Sequence, residues 1–129
     1  MKTILVVDDD ADTRAAIRSS LGSYQVLEAP HGRVALAVIA VTPVDLVITD
    51  IFMPEMDGLE LIRALKKQTP DMPIIAISGG GRFDLAGSQL SLASRFGAEA
   101  MIRKPYDRQE LERTVDLVLQ GKGAPPVSS

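Results

Sequence analysis

Residues 45–58 read Asp45-Leu46-Val47-Ile48-Thr49-Asp50-Ile51-Phe52-Met53-Pro54-Glu55-Met56-Asp57-Gly58. The run from Val44 to Thr49 is apolar and rich in β-branched residues, as a strand covered on both faces requires, and it stops on one carboxylate, Asp50. Met53-Pro54 and Asp57-Gly58 then mark a loop, because proline fixes φ and removes a donor while glycine relaxes the backbone. Leu61, Ile62 and Leu65 follow at helical spacing, and that helix ends before Pro70. A buried strand, a loop and an amphipathic helix in that order make one βα unit.

The same unit recurs on either side. Upstream, Ile4 to Val7 is a continuously apolar strand that halts at Asp8-Asp9-Asp10, any of which can cap a helix carrying Ile17 and Leu21 on one face and ending at Gly22. Tyr24 to Glu28 is a weaker strand, nearer a sheet edge, and Arg33 to Ala40 forms a short helix after the His31-Gly32 turn. Downstream, Ile74 to Ile77 is a buried strand ending at Ser78. Gly79-Gly80-Gly81 and a weakly amphipathic helix to about Phe96-Gly97 come next. Glu99 to Arg103 is the last strand, followed by Lys104-Pro105 and a helix placed on the core by Leu111, Val115 and Val118. Alternating strands and helices predict an α/β domain over residues 1–120, with 121–129 a disordered tail or the start of a linker.

A chain of 129 residues with 46% hydrophobic and 24% charged residues suits one ordinary globular domain. Its net charge of −3 offers no general attraction to nucleic acid or to an anionic membrane, so neither is an expected partner. There is no cysteine, which removes disulfides and thiolate metal sites. The apolar run after Met1-Lys2-Thr3 is too short for a signal peptide or a membrane span, and the expected location is cytoplasmic.

In open parallel sheets, ligands bind beyond the carboxyl ends of the strands. Those ends here carry Asp8, Asp9, Asp50, Ser78 and Lys104, from four separate strands. Carboxylates gathered in one crevice repel each other, and a hard divalent cation with oxygen ligands relieves that repulsion. Lys104 adds a fixed charge and Ser78 a hydroxyl donor, a set suited to phosphoryl transfer, where catalysis is mostly positioning and charge neutralisation. Each aspartate taken alone is equally well a helix cap or turn former, and Asp10 and Asp12 are read that way. A Lys-Pro at a strand end and a lone Asp closing a buried strand do not arise from turn chemistry.

The segments Ile4 to Asp10, Asp45 to Gly58 and Arg103-Lys104-Pro105-Tyr106 together resemble those of response regulator receiver domains, and the likeness runs from residue 1 to about 120. The resemblance implies a flavodoxin-like (βα)5 three-layer sandwich with parallel strand order 2-1-3-4-5, like the chemotaxis single-domain receivers. It implies that Asp50 accepts a phosphoryl group from a histidine kinase or a histidine phosphotransfer protein. Asp9, Asp50 and the backbone carbonyl of Phe52 would bind Mg2+ (or Mn2+) directly, and Asp8 through water. Ser78 and Lys104 would contact the phosphoryl oxygens, and the Lys104–Pro105 bond would be cis. Such a protein catalyses only its own phosphorylation and dephosphorylation. Its output is a conformational state read by a downstream protein, with a phosphorylation-dependent dimer compatible.

Three features depart from that pattern. Met101 stands where many receivers carry an aromatic readout, and is read as core filler. Gly79-Gly80-Gly81 lengthens the segment before Lys104 and leaves water access to the phosphoryl group at Gly79. Phe52 either anchors its loop or overhangs the site and gates water. The lone His31 is assigned to the surface. A haloacid-dehalogenase-like phosphatase is the competing enzyme class, resting on the Asp-x-Asp of residues 8–10. A phosphate-independent adaptor is the competing binding class.

Overall fold

The computed structural model describes residues 1–53, 56–79 and 88–121. Five βα units follow one another: β1 (Thr3–Val7), α1 (Ala11–Ser20), β2 (Gln25–Ala29), α2 (Gly32–Val41), β3 (Leu46–Asp50), α3 (Gly58–Gln68), β4 (Ile74–Ser78), α4 (Ser88–Phe96), β5 (Ala100–Arg103) and α5 (Arg108–Leu119). The strands form one sheet in the order β2-β1-β3-β4-β5, every pair parallel. This is the doubly wound arrangement expected from the sequence, with the weaker strand β2 at an edge.

Strand residues alternate between two cores. Ile4, Val6, Leu46, Ile48, Ile75, Ile77 and Ile102 pack with Ile17, Leu21, Leu111, Val115 and Val118, the inner faces of α1 and α5. Leu5, Val7, Val47, Ile74 and Ala76 pack with Ala35, Leu61, Ile62, Leu65 and Ala93 from α2, α3 and α4. Each such Ile or Leu, removed fully from water, contributes roughly 1.5–3 kcal/mol of transfer free energy. The continuous apolar runs of β1, β3 and β4 thus reflect burial on both faces.

Element ends differ slightly from the sequence expectation, for local reasons. β3 begins at Leu46 rather than Val44, because the Asp45 carboxylate turns aside to accept the Thr3 N–H at 2.8 Å. β4 and β3 each extend to include their polar terminal residue, Ser78 and Asp50. His31, assigned to the surface by its turn position, is half-buried at the head of α2. α5 ends at Leu119; the tail from 122, on which the expected boundary near 120 bears, lies outside the described residues, as do Pro54, Glu55 and Gly80 to Arg82.

Candidate functional site

Ladder hydrogen bonds continue past the strand ends and fix the backbone of the site. The Asp8 N–H donates to Ala29 O at 3.1 Å, Ile51 N–H to Ile77 O at 3.0 Å and Lys104 N–H to Ser78 O at 2.8 Å. Following the side-chain alternation, Asp8, Asp50 and Lys104 fall on the α1–α5 side of the sheet, two positions beyond Val6, Ile48 and Ile102, while Ser78 falls on the α2–α3–α4 side, two positions beyond Ala76. Strand parity therefore sorts one lysine and two carboxylates to one side of the crevice and the hydroxyl to the other.

One carboxylate oxygen each from Asp8, Asp9 and Asp50 lies within 4.8 Å of the others. Asp8 and Asp50 are buried and Asp9 is exposed. The Asp8 Oδ1 accepts the Asp10 N–H at 2.8 Å. Asp50 Oδ1 receives a long bond from the Phe52 N–H, 3.3 Å, and Oδ2 lies 3.9 Å from Lys104 Nζ, an ion pair rather than a hydrogen bond. Burial pushes the Asp50 carboxyl up to about 6; the Lys104 ammonium pulls it down and the Asp8 charge pushes it up again. Burial likewise raises Asp8, opposed by the Asp10 N–H and Lys104. The lysine alone leaves this negative charge under-compensated.

The donor set fits a hard divalent cation. All ligand atoms are carboxylate oxygens, and oxygens on opposite sides of a magnesium ion sit about 4.2 Å apart. A cluster spanning 4.8 Å is therefore within reach of one ion held by some oxygens directly and by another through water.

Other residues singled out in the sequence resolve as follows. Ser78 is fully buried and Gly79 exposed, with open space around its Cα. Lys104–Pro105 is cis, as the resemblance implied. Phe52 is 42% exposed, compatible both with a partly buried loop anchor and with a ring that overhangs the site. Met101 packs into the α2–α3–α4 core as filler. Asp10 caps α1, accepting the Asp12 N–H and the Thr13 hydroxyl, and that hydroxyl bond holds its carboxyl below the usual range. Asp57 caps α3 through the Glu60 N–H at 2.9 Å. Two contributors were not identified from sequence. A Cβ on Gly58 would lie 2.2 Å from the Asp50 carbonyl oxygen, so α3 can start against the back of Asp50 only with glycine there. Arg14 Nη1 donates to the carbonyl of Asp8. The sequence shows Gly58 as loop punctuation and Arg14 as one charge on an amphipathic helix, and no local pattern marks either contact.

The model of the response regulator receiver domain family matches residues 4–116. The phosphate regulon transcriptional regulatory protein PhoB of Pseudomonas aeruginosa is 36% identical over 126 residues, covering 95% of this chain and 53% of its own length. Response regulator MprA of Mycolicibacterium vanbaalenii is 38% identical over 110 residues, covering 84% and 46%. The chain thus spans about half the length of these relatives. Among solved structures, a CheY-like receiver domain protein of Methanospirillum hungatei superposes with a TM-score of 0.84 at 28% identity, covering 95% of this chain and 96% of that one. NtrX of Brucella abortus, solved in complex with ADP, gives 0.85 at 32% identity, covering 95% and 28%.

Proposed function

Because the chain belongs to the response regulator receiver family, we propose that Asp50 is its phosphoryl acceptor, and that the chain signals through the conformational change that follows. The observation that carries this reading is the position of Asp50: a buried carboxylate at the end of β3, clustered with Asp8 and Asp9, and facing the Lys104 ammonium at 3.9 Å. An Asp50 oxygen attacks the phosphorus of a phosphohistidine. A P–O bond forms, the P–N bond breaks and the departing imidazole takes up a proton. Attack requires ionised Asp50, which Lys104 favours and burial opposes.

Asp9, Asp50 and the Phe52 carbonyl, with Asp8 through water, would hold Mg2+ (or Mn2+), which would neutralise the phosphoryl oxygens during transfer. Lys104 meets another phosphoryl oxygen, and the Ser78 hydroxyl, approaching from the α4 side, donates to a third. That local charge change shifts the population toward a repacked β4–α4–β5 region. Hydrolysis resets the switch when water reaches phosphorus between the exposed Phe52 and the open Gly79.

The donor in this reading is a histidine kinase or histidine phosphotransfer protein in the cytoplasm, and the target is a protein that reads the phosphorylated state, either in isolation or within a longer regulator. No described helix is long and apolar enough to cross a membrane. The protein acts on itself rather than turning over a substrate. A haloacid-dehalogenase-like phosphatase would leave Asp50 without a role. A phosphate-independent adaptor would have no use for the assembled set Asp8, Asp9, Asp50, Ser78 and Lys104. Intact mass after treatment with a small phosphodonor and Mg2+ tests the reading: one phosphoryl adduct is expected, absent in Asp50→Asn. An adduct that survives Asp50→Asn and disappears only in Asp8→Asn overturns it.

A further inference from the structure

The peptide unit joining Asp8 to Asp9 carries both carboxylates that β1 contributes to the cluster. Three bonds hold Asp8: its N–H donates to Ala29 O, its Oδ1 accepts from Asp10 N–H, and its carbonyl accepts from Arg14 Nη1. A peptide group is planar, so fixing the Asp8 carbonyl also fixes the Asp9 N–H and the place of the Asp9 Cα, the point from which its side chain departs. Asp9 is exposed and has little packing of its own to orient it.

Arg14 is itself held. Its side chain is 15% exposed, and its Nε lies 3.0 Å from Glu28 Oε1. The other oxygen of Glu28 lies 3.1 Å from Arg18 Nη1, and Arg18 Nη2 donates to Val26 O at 2.8 Å. A strut thus runs from the edge strand β2, through its own Glu28 and then Arg14, to the Asp8 carbonyl, with Arg18 a side partner of Glu28. An uncompensated arginine beside a carboxylate cluster would compete with a cation for the same negative potential. Glu28 offsets part of that charge, which it shares with Arg18, and holds Arg14 as a geometrically fixed donor.

We infer that Arg14, braced by Glu28, is a positioning residue that sets the Asp8–Asp9 peptide for divalent-cation binding. This rests on the reading of the cluster as the Mg2+ site of a phosphoryl acceptor. The competing role, a simple tie between α1 and β2, predicts a different sign. Deleting a cation near the cluster tightens Mg2+ by electrostatics alone, whereas deleting a brace weakens it.

The test is calorimetric Mg2+ titration of the metal-free protein, together with the Mg2+ dependence of phosphorylation by acetyl phosphate, in wild type, Arg14→Ala, Arg14→Lys and Arg18→Ala. Arg14→Ala should weaken Mg2+ binding about tenfold, the size typical of lost support behind metal ligands. Its half-saturating Mg2+ should rise in parallel, with the rate at saturating Mg2+ retained. Arg18→Ala removes one of the two α1–β2 ties but leaves Arg14 on Glu28 and Asp8, so its Mg2+ affinity should be that of wild type even where its melting temperature falls. Unchanged or tighter Mg2+ binding in Arg14→Ala, or an equal loss in Arg18→Ala, overturns the inference. If Arg14→Ala does not fold, Arg14→Lys decides by the same criterion, since one ammonium cannot span both Glu28 and the Asp8 carbonyl. Wild type that neither binds Mg2+ nor takes phosphoryl on Asp50 would instead sink the acceptor reading.

Discussion

Asp50 meets two opposed demands, since burial makes its charge costly and nucleophilic attack requires that charge. With its carboxyl moved from 3.8 to about 6, the native state binds a proton more tightly than the unfolded chain does. The stability this group contributes is therefore fully present below pH 3.8 and lost as pH rises through about 6. In metal-free protein at neutral pH, Asp50→Asn should then be more stable than wild type, by on the order of 1–3 kcal/mol. The advantage should shrink toward pH 4.5, and paired denaturant titrations at the two pH values check this. At Phe52, removing a phenyl group that is 42% exposed should open the route for water. Phe52→Asn should lose its phosphoryl group several-fold faster, and equal decay rates would end the gating role. Asp8, Asp50 and Ser78 could be singled out in the sequence because each closes an apolar run, and Asp9 and Lys104 because each lies one residue beyond such an end. Gly58 and Arg14 could not, because their importance lies in what they touch across the fold.

At the scale of elements, α3 is seated by its first two residues. The Asp57 side chain caps it, so Asp57→Ala should cost about 1 kcal/mol in chemical denaturation. Gly58→Ala is more damaging: the added Cβ meets the Asp50 carbonyl oxygen at 2.2 Å, and main chain cannot rotate away as a side chain can. It should destabilise by about 1–3 kcal/mol, the range for overpacking. It should also slow phosphorylation of Asp50, whereas Asp57→Ala should leave that rate nearly unchanged. β5 carries no aromatic at Met101, which is partly buried against the α2–α3–α4 core, so in the proposed switch the loop after Ser78 would carry the signal. Amide exchange at Gly79, now exposed, should slow on phosphorylation, and no change there would count against that route. Strand and helix identity was readable from periodicity, but end points moved by a residue or two where a single side chain, such as Asp45, chose a bond outside the ladder.

For the whole molecule, the three clustered carboxylates repel one another, and the proposed cation would relieve that repulsion. By linkage, Mg2+ at tenfold above its dissociation constant should stabilise the fold by about 1.4 kcal/mol. The melting temperature should therefore climb with Mg2+ in wild type and stay flat in Asp9→Asn, where a ligand is missing and the charge repulsion is already reduced. The layered architecture was readable because β1, β3 and β4 are apolar on both faces, whereas the site's geometry depends on strand register, which no single segment encodes. That register also bears on how such a chain tolerates lengthening or shortening over evolutionary time. One residue inserted within β3 would exchange the two faces beyond it, turning Asp50 toward the α2–α3–α4 core and bringing Thr49 into its place at the crevice. An insertion in the turn between Val41 and Leu46, at the opposite end of the strands, moves no atom of the carboxylate cluster. Geometry thus bars length variation from inside the strands and leaves it to the connections between them, with no contact devoted to enforcing the spacing.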